Sequence, residues 1–249
     1  MEKVETGEGL NLMTEGWTLT PQPYTIPFDG STITVWLDGL PTGNPVYNQY
    51  NKEIADLFPG YNNQDGAGGS FILDTTALTH GIHALAWLVE DDAGNSNTVG
   101  FQYFSIDNTG MPGGANSIDM SFNSIEELQN LVPRQMEPVF FKKGYRTGEE
   151  AGVLLPDVEG IGSVTIKELE PVELQLGTNI AAASGYLVTG SHLRELPVGS
   201  TLDHKSGLFS WLPGPGHFGK YLMVFVVKDM EGQYKRTLVR FTIEPKFNK

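Results

Sequence analysis

One pattern occurs twice in this chain and decides most of what it can fold into. Gly81-Ile-His-Ala-Leu-Ala-Trp-Leu-Val-Glu-Asp91-Asp-Ala-Gly94 and Gly219-Lys-Tyr-Leu-Met-Val-Phe-Val-Val-Lys-Asp229-Met-Glu-Gly232 share one spacing: ten residues from first glycine to aspartate, three more to the second glycine. Each is followed by a second run rich in aromatic and β-branched residues, at 99–106 and 234–243. Strand, Asp-x-x-Gly turn, strand is a hairpin: Asp91 and Asp229 accept hydrogen bonds from the amides of their own turns, while Gly94 and Gly232 supply the positive φ. A period of two puts His83, Leu85, Trp87 and Val89 on one face of the first strand and Tyr221, Met223, Phe225 and Val227 on the equivalent face of the second. The opposite faces, Ala84/Ala86/Leu88 and Leu222/Val224/Val226, are also apolar, so both strands are expected to be central and covered on two sides.

Around the first hairpin, strands are expected at 16–20, 31–38 and 71–74, with Ile33, Val35 and Leu37 inward and Trp36 outward. A helix is expected at 48–58, from Tyr50, Ile54, Leu57 and Phe58 at helical spacing, stopped by Pro59-Gly60. Met111-Pro-Gly-Gly114 reads as a linker. Ser124-Ile-Glu-Glu127 is a capping box opening a short helix that Pro133 ends. Further strands are expected at 164–166, 172–176, 185–189, 192–196 and 208–212. The charge changes near Pro133: residues 1–133 carry 17 acids and two bases, a net of −15, and residues 134–249 carry 13 acids and 14 bases, a net of +1.

Composition narrows the function. With 30 Gly and 15 Pro against 18% charged residues, turn-rich β structure is favoured over helical bundles. A net charge of −14 argues against nucleic acid as a partner, and no apolar run is long enough to span a membrane. The absence of cysteine removes disulfides, thiolate metal sites and a cysteine nucleophile. It fits a reducing compartment and a thiol-avoiding surface protein equally. Met1-Glu2-Lys3-Val4-Glu5 has no apolar stretch, so no signal peptide is expected here, and a secreted protein would be a mature form or a piece of something longer.

The motifs Gly16-Trp-Thr-Leu-Thr-Pro-Gln-Pro23, Asp29-Gly-Ser-Thr32, Tyr47-Asn-Gln-Tyr50, Leu57-Phe-Pro-Gly-Tyr61 and Asp91-Asp-Ala-Gly-Asn95 resemble one kind of bacterial Ig-like repeat found in extracellular and cell-surface proteins. Leu196-Pro, Gly199-Ser-Thr-Leu-Asp203, Gly207-Leu-Phe-Ser-Trp211, Pro213-Gly-Pro-Gly216 and Asp229-x-x-Gly232 are similar to the cadherin-like type. The resemblance covers about 16–107 and 163–245. It implies an all-β fold of two Ig-like β-sandwich domains, the first (1–108) with a short inserted helix and the second at 163–249, joined by a partly structured linker at 109–162. It also implies a tyrosine-corner role for His83 and Tyr221. In such repeats a further strand precedes the Gly-Trp segment, and only Met1–Glu15 can supply it, so the first sandwich is expected to be short of an edge strand.

Chemistry-bearing patterns are sparse. There is no Gly-x-Ser-x-Gly, Ser-x-x-Lys or phosphate-binding Gly-Lys loop, and no enzyme activity is expected. His80 and His83 would face opposite sides of a strand. No cofactor is expected, except that Asp91, Asp92 and Asn95 crowd one hairpin tip with Asp107 at the end of the adjoining strand, an oxygen-rich set of the kind calcium takes. Trp36, with Tyr24, Tyr47 and Tyr61, forms a candidate aromatic platform for an extracellular glycan. Trp17, Trp87 and Trp211 are expected in the core. The expected function is a structural or interaction module of a bacterial extracellular or cell-surface protein, its partners being other protein modules or copies of itself. The alternatives are a self-assembling filament subunit, with Met1–Glu15 or the 244–249 tail as strand donor, and a carbohydrate-binding module.

Overall fold

The computed structural model describes residues 2–3, 11–78, 81–106, 122, 124–134, 139–145 and 151–246. His80, Asp107 and the Met111-Pro-Gly-Gly114 linker lie outside them. The chain divides into two compact units, Met1–Gly114 and Ala115–Lys249, and each is a β-sandwich.

In the first unit the strands are β1 (Glu2–Lys3), β2 (Asn11–Trp17), β3 (Ile33–Leu37), β4 (Leu40–Gly43), β5 (Val46–Gln49), β6 (Gly68–Asp74), β7 (Gly81–Glu90) and β8 (Ser96–Ile106), with helix α1 (Lys52–Leu57) between β5 and β6. One sheet runs β1-β8-β7-β3-β4 and the other β2-β6-β5. Ile33, Val35, Leu85, Trp87, Val89, Phe104 and Ile106 from the first meet Tyr47 and Leu73 from the second, closing one apolar core. Burying such side chains contributes about 1.5–3 kcal/mol each, which is what holds two half-polar sheets face to face. The helix begins where Asn51 accepts a hydrogen bond from the Ile54 amide (3.2 Å). It is shorter than the expected 48–58, because Asn48 takes a left-handed backbone (φ 62°) and stays in β5.

The second unit comprises helix α2 (Ile125–Leu131) and strands β9 (Val139–Lys143), β10 (Ala151–Leu154), β11 (Ile161–Lys167), β12 (Val172–Gln175), β13 (Ile180–Thr189), β14 (His192–Arg194), β15 (Ser200–Leu202), β16 (Leu208–Trp211), β17 (Gly219–Asp229) and β18 (Tyr234–Glu244). Its sheets run β11-β18-β17-β13-β14 and β10-β9-β12-β16-β15. Phe209, Trp211, Met223, Phe225 and Phe241 lie at the centre of the core, each fully buried. The second face of β17 is covered as expected: Val224 and Val226 pack with Leu128 and Val132 of the α2 segment. That segment is stitched down by the Arg236 amide and Nε donating to the Pro133 and Val132 carbonyls, both at 2.8 Å. The expected capping box is present in its first half, the Ser124 hydroxyl accepting from the Glu127 amide at 3.1 Å.

The reading of 109–162 as linker is corrected by these pairings. Its described part holds α2, β9 and β10, and β9 pairs with β12 while β10 pairs with β9. Both strands are short, and β9 finds its partner β12 only across β10 and β11, so local alternation does not reveal them. The Met1–Glu15 donor arm is also corrected, since β1 pairs with Phe104–Ser105 and β2 pairs along its whole length with β6, both within their own unit.

Candidate functional site

The two hairpin turns superimpose bond for bond. Asp91 accepts from the amides of Ala93 and Asn95 (both 3.0 Å), and Asp229 from those of Glu231 (3.0 Å) and Gln233 (2.8 Å). The Gly94 and Gly232 amides each donate back to the aspartate carbonyl at 3.0 Å, with φ at 81° and 85°. Asp91 carries additional bonds. Its Oδ2 accepts from the Thr20 hydroxyl (3.0 Å) and the Asn95 side-chain amide (3.0 Å). Asp92 accepts from the Thr25 amide at 2.9 Å. The tip residues singled out for calcium are thus engaged by neutral donors that fasten the 18–25 loop to the hairpin. Asp107, the fourth of them, lies outside the described residues. Among the described residues no group of three or more His, Asp or Glu is placed to hold a metal ion.

Burial works to raise the pKa of Asp91, but the donors from Asn95, Thr20 and Ala93 outweigh it and hold the carboxyl below the usual aspartate value. Asp157 and Asp203 are lowered in the same way. For Asp157 the Ile161 amide contributes most, and for Asp203 the Ser206 side chain.

His83, expected at a corner, faces a carboxylate. Its Nδ1 sits 2.6 Å from Asp38 Oδ2 in a pair with side chains only 5% and 3% exposed, and the other Asp38 oxygen accepts from the Ala84 amide at 2.7 Å. Asp38 holds a left-handed backbone (φ 49°) and Gly39 follows at φ 90°. The pair therefore pins the tight β3–β4 turn to β7. Both members of the pair are sealed from solvent. Tyr221, the equivalent residue, is half-buried with its ring edge-on to Trp211 at 5.1 Å.

The aromatic platform comes apart. Trp36 and Tyr47 are both buried, 6% exposed, and the Tyr47 hydroxyl donates to the Thr18 carbonyl at 2.9 Å. Tyr24 is exposed and Tyr61 half-buried. Trp17, expected in the core, is the exposed tryptophan (47%) because it ends β2 on its outward face, beyond Met13 and Glu15. Its ring lies 5.3 Å from Phe58, which meets Tyr61 edge-on at 5.6 Å. Period-two counting from Trp17 back through β2 is the signal that finds this group. The rings are tilted 38° and 70° to one another, so they pack as a cluster and offer no flat stacking surface. Asn62 ties the loop beneath them by donating to the Tyr24 carbonyl (3.0 Å) and Thr25 Oγ1 (2.8 Å). Trp87 and Trp211 are in the core as expected.

No known family and no curated protein matches the sequence. Among solved structures, the chain is similar to CopC of Methylosinus trichosporium OB3b at 20% identity, over 35% of this chain and 86% of that one, with a TM-score of 0.25. It is similar to the fibronectin(III)-like modules of Clostridium thermocellum CbhA at 8% identity over 98% and 90%, TM-score 0.23. It is also similar to the Bacteroides ovatus glucan-binding SGBP-B at 13% identity over 95% of this chain and 64% of that one, TM-score 0.20. Likenesses at this level carry no argument about ligand or activity.

Proposed function

We propose that the chain is a non-enzymatic pair of β-sandwich modules from a bacterial extracellular surface protein, acting as a tension-bearing spacer. The observation that carries this reading is the parallel pairing of β11 with β18, seven residue pairs in unbroken register from Ile161–Leu238 to Lys167–Glu244. Once α2, β9 and β10, which precede Ile161 in the same unit, have been drawn off, traction applied to the ends of the chain reaches this patch at Ile161 and Glu244, which lie at opposite ends of it. Every ladder bond is then loaded in shear at once, whereas an antiparallel hairpin pulled at its ends opens one bond at a time. In the first unit the corresponding parallel patch has two pairs, Glu2–Phe104 and Lys3–Ser105. The polar side chains of the hairpin tips (Asp91, Asp229) and of the buried His83–Asp38 pair are spent on turns, which supports a role without catalysis.

Stretching single molecules held at both ends tests the reading. Two unfolding events are expected, with the second unit giving way at the higher force. If both units open at the force of an unzipping hairpin, the reading fails.

A further inference from the structure

Among the strands that end the four sheets, one in each unit stands out. In the first unit β2 is the end strand of β2-β6-β5, and in the second β10 is the end strand of β10-β9-β12-β16-β15. Within this chain the strand equivalent to β2 is β12, next to β6-like β16 in its sheet, and β12 does have a neighbour on its other side, β9. Natural edges are usually blunted by lysine, proline or a bulge. Neither edge here is. β10 reads Ala-Gly-Val-Leu and runs into exposed Leu155, and β2 carries Met13, 57% exposed. Each edge also borders an exposed apolar pair on its outer face: Met13 opposite Ile72 in the first unit, Val153 opposite Phe140 in the second. Phe140, Phe141, Val153 and Leu208 line an open groove of about 380 Å³ on that second face.

We propose that the chain assembles head to tail, β2 of one copy pairing antiparallel with β10 of the next. Placing Met13 opposite Val153 makes every parity agree. Thr14 (buried) and Leu12 (half-buried) fall opposite Gly152 and Leu154 on the core side, and Glu15 and Asn11 fall opposite exposed Ala151 and Leu155. The apolar pairs then join into one row, Ile72–Met13–Val153–Phe140, across a continuous eight-stranded sheet. Charge fits the same register. Ala151 pairs with Lys142 on β9, so the small alanine side chain leaves Glu15 of the neighbouring copy within reach of that ammonium. The occupant is a second copy rather than an unrelated strand because the acidic edge and the edge beside the lysine belong to one chain. The contact uses two different surfaces, so it is heterologous, and each added copy presents the same two edges again. It rests on these edges alone and not on the spacer reading.

Light scattering on the full chain across a concentration series, from micromolar to submillimolar, is the test. The mass is expected to rise from 27.2 kDa without a plateau at the dimer. Met13→Lys and Val153→Lys, each at an exposed position and each checked for an unchanged melting temperature, are expected to stay monomeric. Mixed in equal amounts they are expected to form a dimer and stop there, since M13K keeps an intact β10 and V153K an intact β2. Met230→Lys, at a residue 66% exposed but on neither edge, is expected to assemble as the wild type does. A wild type that remains monomeric throughout overturns the proposal. So does growth in either edge variant, a mixture that yields no dimer, or loss of assembly in M230K.

Discussion

At the residue scale the chain spends its charged side chains on backbone. Asp38 and His83 are the extreme case, two polar groups removed from water that face each other, with the Ala84 amide donating to the carboxylate. Truncating one leaves the other buried without its partner, so Asp38→Ala is expected to cost about 2–4 kcal/mol. Asp38→Asn is expected to cost less, because asparagine tolerates the left-handed backbone and retains an acceptor for Ala84. Urea unfolding of the two variants measures both, and equal losses would show that the carboxylate–imidazole pair, which asparagine does not restore, and not the turn is at stake. Asp91 gives a pH signature. Its folded-state pKa is depressed, so its contribution is complete above the unfolded value of about 3.9 and is lost as pH falls through the lower folded value. Asp91→Asn, whose amide does not titrate, is expected to be less stable at neutral pH and to lose stability less steeply on acidification. An acid-unfolding slope identical to the wild type's would refute that assignment. The roles of Asp91 and Asp229 are legible in sequence because an Asp-x-x-Gly turn is local. The exposure of Trp17 and the burial of Trp36 are not, since parity assigns a face and only tertiary packing decides what covers it.

At the scale of elements, the repeated hairpin was the most legible feature because strand, turn and strand are contiguous. Its geometry makes a matched pair of predictions. Gly94 and Gly232 have φ near 80° and open space where a Cβ would stand, so alanine meets backbone strain and no clash at either. Gly94→Ala and Gly232→Ala are expected to destabilise their own units by about 1–2 kcal/mol each, and by similar amounts. Thermal melts compare them, and a much larger loss at one site would mean that the turns differ in what they hold. Helix α2 was legible from its capping box, and the apolar second face of β17 signalled that something would cover it. Their meeting was not, because they are separated by most of the second unit. Strands β9 and β10 escaped for a related reason: they are short, and the register of β9 with β12, which β10 joins through β9, exists only once the sandwich is closed.

At the scale of the whole molecule, two sandwiches of one architecture carry very different charge. The unit Met1–Gly114 has 14 acids and two bases, a net of −12, and the unit Ala115–Lys249 has 16 acids and 14 bases, a net of −2. Self-repulsion grows with net charge and opposes compaction, so it burdens the first unit far more than the second. Screening removes it: raising ionic strength from about 0.01 M to 1 M shortens the Debye length from about 30 Å to about 3 Å. Scanning calorimetry on Val153→Lys, chosen so that assembly does not intrude, is therefore expected to show two transitions, of which only one rises substantially with sodium chloride. Adding Asp38→Ala to that background identifies the unit, because it must lower the salt-responsive transition and leave the other in place. If the transition lowered by Asp38→Ala is the one that salt leaves unmoved, charge is not what distinguishes the stability of the two units. The same measurement bears on the edge pairing: a first unit of net −12 gains from a neighbour that brings Lys142 to Glu15, and wild-type chain at high concentration and low salt is expected to show that transition shifted upward.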